Sequence, residues 1–471
     1  MKSPYIKEYT MPNGTWPNGI LVDGNATIWT VGTKSQNLLK IDPKNGRLLA
    51  SYPLNNQDGL NKNLKKSRTG VTMVWAIVEG KDGSIWFSQS DSSNPLWRFD
   101  IPTSKFEVFR SISGPPFQMR VDEKTGNIWF TTFSSGTIGV IQRDASNNSG
   151  YVITEFPLGR ESYPSGLFLD GDSVWVTQTL NDNIVNLKIV KDNHGKVINL
   201  VKALEISGRD KKNLFSAPYD VVRLNNTLWI TEHDANFISK YDLVSKAITK
   251  VAVSNNPHQY ISLPFWLRIG PHGKDLWFNE HTGNRMSLMN TTELQLTEYE
   301  IPTRDPSTGY ISNVLNFVVD PLDRNRVWFS EYNYDKIGIL DRHVSIPFAI
   351  NTNLSDIIIS TDKDQKFLPK SINFDLLKVP NKVPYDTSNS NETIVTFKAS
   401  SSMSEFGSLK NITSEFYPPS VNISKSPEKV PVQLKLTLEK DKKIVPGNYT
   451  LGVSASDGLV TRSVFLNLLI K

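Results

Sequence analysis

Seven of the eleven tryptophans stand in one recurring local setting, and no other feature limits the possible folds as tightly. Trp29, Trp86, Trp129, Trp175, Trp229, Trp277 and Trp328 each follow a short turn of small or polar residues and lie beside apolar neighbours, as in DGSIWFSQ, TGNIWFTT, GKDLWFNE and NRVWFSE. Successive copies are 43 to 57 residues apart. A period of about 40–50 residues with turn signals and one fixed aromatic marks a β-propeller, one four-stranded blade per repeat. A short apolar strand precedes each Trp strand, as in SYPSGLFLD, APYDVVRL and LPFWLRIG. A third strand follows (NIVNLKIV, NFISKYDL, DKIGILD), then an alternating fourth (VITEFPL, LTEYEIP). Period-two alternation predicts half-buried strands. The first strand can be counted seven times, near Trp16, Met73, Pro116, Pro164, Pro218, Pro264 and Val314. After Asp341 the repeat lapses, while YIKEYTMP at residues 5–12 matches the fourth-strand phrases. The expectation is that the N-terminal segment completes the seventh blade and leaves only short, protected edges.

No Trp occurs after Trp328. The tail instead carries β-rich stretches (DIIIST, ETIVTFKAS, PVQLKLTLEKD, GNYTLGVSASD, TRSVFLNLLI), with Asp457-Gly458 placed to turn a hairpin. The expected architecture is all-β: a seven-bladed β-propeller over residues 1–346 and an Ig-like or cadherin-like β-sandwich over residues 347–471. Modules of that kind serve as spacers or adhesive units on surface proteins, an analogy at the level of fold.

Composition removes several function classes. Lys and Arg number 52 against 47 Asp and Glu, a net charge of +5 without a dense basic stripe. The strongest basic run, Lys62 to Arg68, reads as a solvated loop, so nucleic acid is not an expected partner. Cysteine is absent, which excludes disulfides, thiol nucleophiles and thiolate metal sites. No apolar run is long enough to span a bilayer. The opening MKSPYIKEYT lacks the apolar middle of a signal peptide, leaving a cleaved or omitted targeting segment as the expectation. Asn-x-Ser/Thr sequons recur, at Asn13, Asn25 and Asn448 among others, and hint at an extracellular or cell-surface location. P-loop, dinucleotide-binding, HExxH and serine-elbow motifs are missing.

Across residues 5–341 the blade phrases resemble the virginiamycin B (streptogramin) lyase family, a seven-bladed propeller whose blades read close to P-x-G-I, DG-x-[IL]-W-F-T-E and N-x-I-G-x-I. The matches include TGNIWFTT with GTIGVIQ, GKDLWFNE with GNRMSLM, and VWFSE with YDKIGIL. The resemblance implies elimination across the ester of a cyclic peptide antibiotic, by a base beside a carbonyl and a Mg²⁺ ion that stabilises the enolate-like charge. The family's Pro-His at the sixth blade and Glu-Pro-His at the seventh correspond here to Pro264-Phe265 and Asn313-Val314-Leu315. Of the family's metal positions, only Glu331 keeps a carboxylate.

What remains lies at the ends of the Trp strands. The third residue after the Trp is Glu232, Glu280 and Glu331 in the last three blades, and His233 and His281 directly follow two of them. One reading makes these a cluster that binds Mg²⁺ or Ca²⁺, or a cationic ligand, or exchanges protons. The other makes each Glu a hydrogen-bonded strand end and turns each His to solvent. By register, Trp75 and Trp266 share one position of the first strand with Asp220, Gln118 and Asn316, while Phe117, Tyr219 and Phe265 share the one before. Arg120, Arg223 and Arg268 follow, as candidate partners of the glutamates. The expected binding face is lined by Trp75, Tyr219, Asp220, Glu232, Trp266, Glu280 and Glu331. Its ligand would be a small molecule, glycan or peptide, with a surface protein as a further partner. The competing readings are a metal-assisted lyase or hydrolase using His233, His281 and Glu280, and a surface structural or adhesion protein.

Overall fold

The computed structural model describes residues 2–54, 73–90, 95–110, 112–147, 149–208, 214–253, 261–304, 311–360, 370–380, 392–404, 406–439 and 442–471. The Lys62–Arg68 run lies outside them. The chain forms seven four-stranded antiparallel blades, numbered here from the N-terminus, with strands a to d from the axis outward. Blade one is made of Pro17–Val22, Ile28–Gly32, Asn37–Ile41 and Leu48–Pro53. Blade seven takes strands a to c from Phe317–Val319, Arg326–Glu331 and Lys336–Asp341, and strand d from Ile6–Thr10. Ile6 pairs with Leu340 and Thr10 with Lys336. Asp335 reinforces this closure by accepting hydrogen bonds from the backbone N–H of Gly14 (2.7 Å) and Trp16 (2.9 Å).

The recurring Trp has a mechanical reason. All seven are buried in strand b, and each packs onto the following blade. Trp129 meets Leu167 and Val174 of blade four, and Trp229 meets Leu267 and Phe278 of blade six. Trp328 meets Ile20 and Ile28 of blade one, which closes the circle. The polar turn before the Trp also has a task. Asp23 accepts the indole N–H of Trp29 at 2.8 Å, Asp170 that of Trp175 at 3.2 Å and Asp320 that of Trp328 at 3.2 Å. Ser84 does the same for Trp86 at 3.0 Å. Four of the buried indoles thus keep their one donor satisfied, while that of Trp277 has no partner among the described residues.

The Gly in IG phrases is equally physical. Phe130 lies opposite Gly139 and Phe329 opposite Gly338 in the b–c pairing. A Cβ on either glycine would overlap the facing ring.

Beyond blade seven the chain builds two further sheets around a shared apolar core. One contains Phe348–Asn351, Lys370–Lys378, Lys429–Leu438 and Ile412–Tyr417. The other contains Val460–Ile470, Gly447–Ser456, Ile394–Ser401 and Ser420–Asn422, with Asp356–Ile359 running parallel to the last strand. The Asp457-Gly458 hairpin forms, with Asp457 Oδ1 accepting from Leu459 and Val460 N–H at 2.9 Å and Gly458 at φ 85°. Strand Val460–Ile470 also pairs antiparallel with Gln295–Glu300, strand d of blade six, from Gln295 opposite Val464 to Tyr299 opposite Val460. One sheet therefore runs from the propeller axis into the tail.

Gly338→Ala is expected to destabilise the protein by about 1–3 kcal/mol through overpacking. Adding Phe329→Val should recover most of that loss, read from urea unfolding midpoints of the single and double variants.

Candidate functional site at the propeller axis

Strand a of each blade borders the axis, and its entry has a repeated conformation. Trp16, Tyr163, Ala217, Leu263 and Asn313, each just before strand a, adopt positive φ between 44° and 53°. Side chains other than Gly rarely accept this region, so the entry loops hold local strain that the blades must fix. The reversed residue points its carbonyl at the end of strand b. Trp16 O accepts from Thr33 N–H at 3.0 Å, Ala217 O from His233 N–H at 3.0 Å and Leu263 O from His281 N–H at 3.4 Å. These bonds set Thr33, His233 and His281, each the fourth residue after its signature Trp, over the start of strand a.

There the rings close the axis. Phe117 lies 5.1 Å from Trp75, 5.8 Å from Tyr219 and 5.6 Å from Trp266, centroid to centroid. Tyr219 stacks on Phe265 at 4.4 Å and on His233 at 4.6 Å, and Phe265 stacks on His281 at 4.9 Å. The two imidazoles are 5.2 Å apart. Burial, with the neighbouring His233, pushes His281 down to about 3, and burial lowers His233 as well. Both are neutral imidazoles at physiological pH. Neither ring nitrogen of His281 has a hydrogen-bond partner among the described residues.

Strand pairing corrects one register. Ile77 faces Phe87, and Leu267 faces Phe278, each the residue after the signature Trp. Trp75 is therefore equivalent to Phe117, Tyr219 and Phe265, and Ala76 takes the place of Trp266. The a–b turn is one residue shorter in blade two than in blade six, which hides this offset in the sequence.

The acidic residues do not line a mouth. Asp220, Glu232, Glu280 and Glu331 are all fully buried. Each glutamate turns into its own blade. Glu232 accepts from Lys250 Nζ (2.9 Å), Ser216 N–H (3.0 Å) and the Ser239 hydroxyl. Glu280 accepts from Ser287 Oγ at 2.6 Å and lies 3.7 Å from Arg285, its cross-strand partner. Glu331 sits opposite Lys336, whose ammonium donates to Glu8 (3.0 Å) and Thr303 (2.6 Å). Burial raises Glu280 to about 8, helped by the charge of Glu298, and burial raises Glu331 to about 8, helped by Glu8. The arginines also differ from expectation. Arg120 and Arg268 converge on Asp220 (3.4 and 3.3 Å), and Arg223 bonds Asp170. Among the described residues no group of three or more His, Asp and Glu is arranged to hold a metal ion.

Sequence reasoning missed Phe133 and Tyr332. They occupy the same offset from their Trp as His233 and His281, which was the available signal. Phe133 bridges Phe117 and Tyr163 at 5.1 and 5.4 Å, and Tyr332 packs edge-on to Trp16 at 5.8 Å. Trp16, Trp75, Phe133, Tyr163, His233 and Tyr332 are half-buried, so the outer surface of this layer is aromatic.

No family model and no curated protein matches the sequence. Solved structures do match. Virginiamycin B lyase from Staphylococcus aureus is 23% identical, covers 71% of this chain and 98% of its own, and superposes with a TM-score of 0.52. A catalytically inactive form of that lyase with quinupristin is 24% identical over 71% and 98%, at 0.53. A streptogramin B lyase is 20% identical over 72% and 97%, at 0.53. The propeller fold of this chain is the one these lyases have.

The raised carboxyls fix a sign for pH dependence. A carboxyl whose folded pKa lies above its unfolded value binds more protons when folded, so stability falls as pH rises from about 4.5 to about 8. Glu331→Gln removes that titration. Its melting temperature relative to the parent should climb between pH 5 and pH 9 by a few °C, measured by calorimetry at both pH values.

Proposed function

We propose that this chain is an extracytoplasmic recognition protein that has kept the lyase propeller and lost the lyase chemistry. The observation that carries the reading is the aromatic layer at the axis. Phe265 occupies the family's first imidazole position and lies inside that layer, between Tyr219 and His281. Leu315 stands at the second such position and is buried. Hydrocarbon at both positions can neither take a proton nor bind a cation.

The family's Mg²⁺ does not fit the residues present. Mg²⁺ requires several hard oxygen ligands. Glu331 is a buried carboxyl with a pKa of about 8, held beside Glu8 and Lys336. No other carboxylate accompanies it at the family's positions, where Asn313 and Leu315 stand.

The face that remains suits a ligand with flat or apolar surfaces, a glycan or a peptide, received by Trp16, Trp75, Phe133, Tyr163, His233 and Tyr332. Trp266 and Tyr219 support these rings from beneath, and Asp220, Glu232, Glu280 and Glu331 hold the blades. The tail, read as an Ig-like module, supplies a spacer or a contact surface for a partner at the cell surface. The sequons and the two-sheet tail support an extracytoplasmic setting, and no helix among the described residues is long and apolar enough to cross a membrane.

Two measurements test the reading. Quinupristin incubated with the protein and Mg²⁺ is expected to remain intact by mass spectrometry. Mg²⁺-dependent loss, abolished by Glu280→Gln, would restore the enzyme. Screening against glycan and peptide libraries should find a class whose affinity drops at least about tenfold in Tyr163→Ala, as expected for an aromatic anchor. A complete failure to bind either class would remove the recognition role.

A further inference from the structure

Below the aromatic layer the axis opens again. A cavity of about 510 Å³ begins at Trp75, Gln118, Trp266 and Asn316 and ends at the C-terminal ends of the a strands, on the face opposite the mouth. Its size falls within the range of small-molecule sites, about 300–1,000 Å³.

The lining is set by register. The residues paired with the seven signature tryptophans are Leu21, Val78, Arg120, Phe168, Val222, Arg268 and Val318, and all seven border the cavity. Five are hydrocarbon and two are guanidiniums. Their shared counter-ion, Asp220, has no capacity to spare. Its Oδ2 receives Arg120 (3.4 Å), Arg268 (3.3 Å) and Leu267 N–H (2.9 Å), and its Oδ1 receives Val221 N–H (2.9 Å). One positive charge is left over at the inner end of a half-open cavity. Glu79 and Glu123 border the cavity on the outlet side with Arg324, so the excess charge is confined to the inner end.

The guanidiniums are held in place with donors to spare. Arg120 donates to the carbonyls of Leu167 (3.5 Å) and Leu267 (3.2 Å), and Arg268 to that of Leu267 (2.7 Å). Arg268 also lies over Trp266 (5.9 Å) and Phe317 (5.4 Å). Arg120 Nη1 and the Nε and Nη2 of Arg268 make no hydrogen bond among the described residues. Both side chains keep 21% of their surface accessible. Burial and the charge of Arg120 push Arg268 down to about 9, a repulsion that a second anion would relieve.

We propose that this lower channel binds a small aromatic carboxylate, its carboxylate on Arg120 and Arg268 and its ring against Phe168, Trp266 and Phe317. A planar carboxylate matches the guanidinium fork, and a ring matches the apolar walls. A bare oxyanion would leave those walls unfilled. The site is separate from the mouth and stands or falls independently of the recognition role.

Sodium benzoate titrated into the protein at low ionic strength provides the test, by calorimetry with intrinsic tryptophan fluorescence as a second signal. One benzoate per chain is expected, with a Kd in the millimolar range or tighter. Benzyl alcohol and sodium phosphate should each bind at least tenfold more weakly. Arg268→Gln should weaken benzoate at least tenfold and Arg268→Lys by less. Val222→Trp, which fills the cavity and keeps both charges, should abolish binding even if the Arg268 variants fail to fold. Tyr163→Ala, at the mouth, should change nothing. The idea is sunk by the absence of saturable benzoate binding to folded parent protein, by equal binding in folded Val222→Trp, or by phosphate or benzyl alcohol binding as tightly as benzoate.

Discussion

Everything in the ring depends on one buried indole per blade. Each signature Trp leaves its own sheet and fills the gap to the next, so no blade has a complete core alone. Truncating such a ring to Ala typically costs about 3–5 kcal/mol, and seven of them link the blades in a circle with no free end. Four of the indoles also donate to an Asp or Ser in the turn just before the strand. Turn chemistry and interblade packing are thus two aspects of one contact, which is why the polar turn and the Trp recur together.

That arrangement leaves the axis available for other uses. The a strands give each blade a position facing the signature Trp, and chain chemistry there varies freely from Val to Arg. At the upper end, reversed entry residues and stacked rings form a lid of neutral, apolar character. At the lower end, two guanidiniums share one carboxylate. Between these regions Asn316 donates to Asn18 at 2.8 Å and Gln118 accepts from Leu167 N–H, while the amide nitrogens of Asn18 and Gln118 have no hydrogen-bond partner among the described residues. Inside the blades Glu232 pairs with Lys250 and Glu280 lies 3.7 Å from Arg285, whereas both carboxyl oxygens of Glu331 are buried without a hydrogen-bond partner among the described residues, and its carboxyl is raised to about 8. A buried charge without such a neighbour would cost several kcal/mol.

The fold was legible because its determinants are local. The Trp phrase, the Asp or Ser before it and the Gly facing Phe all act within a few residues or across one hairpin, and single-sequence patterns record such constraints. The site was less legible because its geometry depends on register. Trp75 and Trp266 both stand eleven residues before their Trp, but the a–b turn is one residue shorter in blade two, where Val78 faces Trp86, than in blade six, where Arg268 faces Trp277, so the two rings fall one position apart. Arg223 illustrates the same problem. It follows Val222, which faces the axis, and so points elsewhere, to Asp170. The partners of the glutamates were partly readable. Arg285 and Lys336 stand five residues after Glu280 and Glu331, the spacing of a b–c hairpin end. Lys250, on strand d of its blade, was not.

The shared sheet between blade six and the last strand governs how the two parts of the chain move. Five residue pairs run along that seam, and Glu300 N–H adds a bond to Leu459 O at 3.0 Å. Such a ladder admits little rotation, unlike a flexible linker. Tension applied along the final strand loads all the cross-strand bonds together in shear instead of opening them one by one. The tail therefore acts as a rigid bracket that holds the ring at a set angle to itself, so that the two parts turn together.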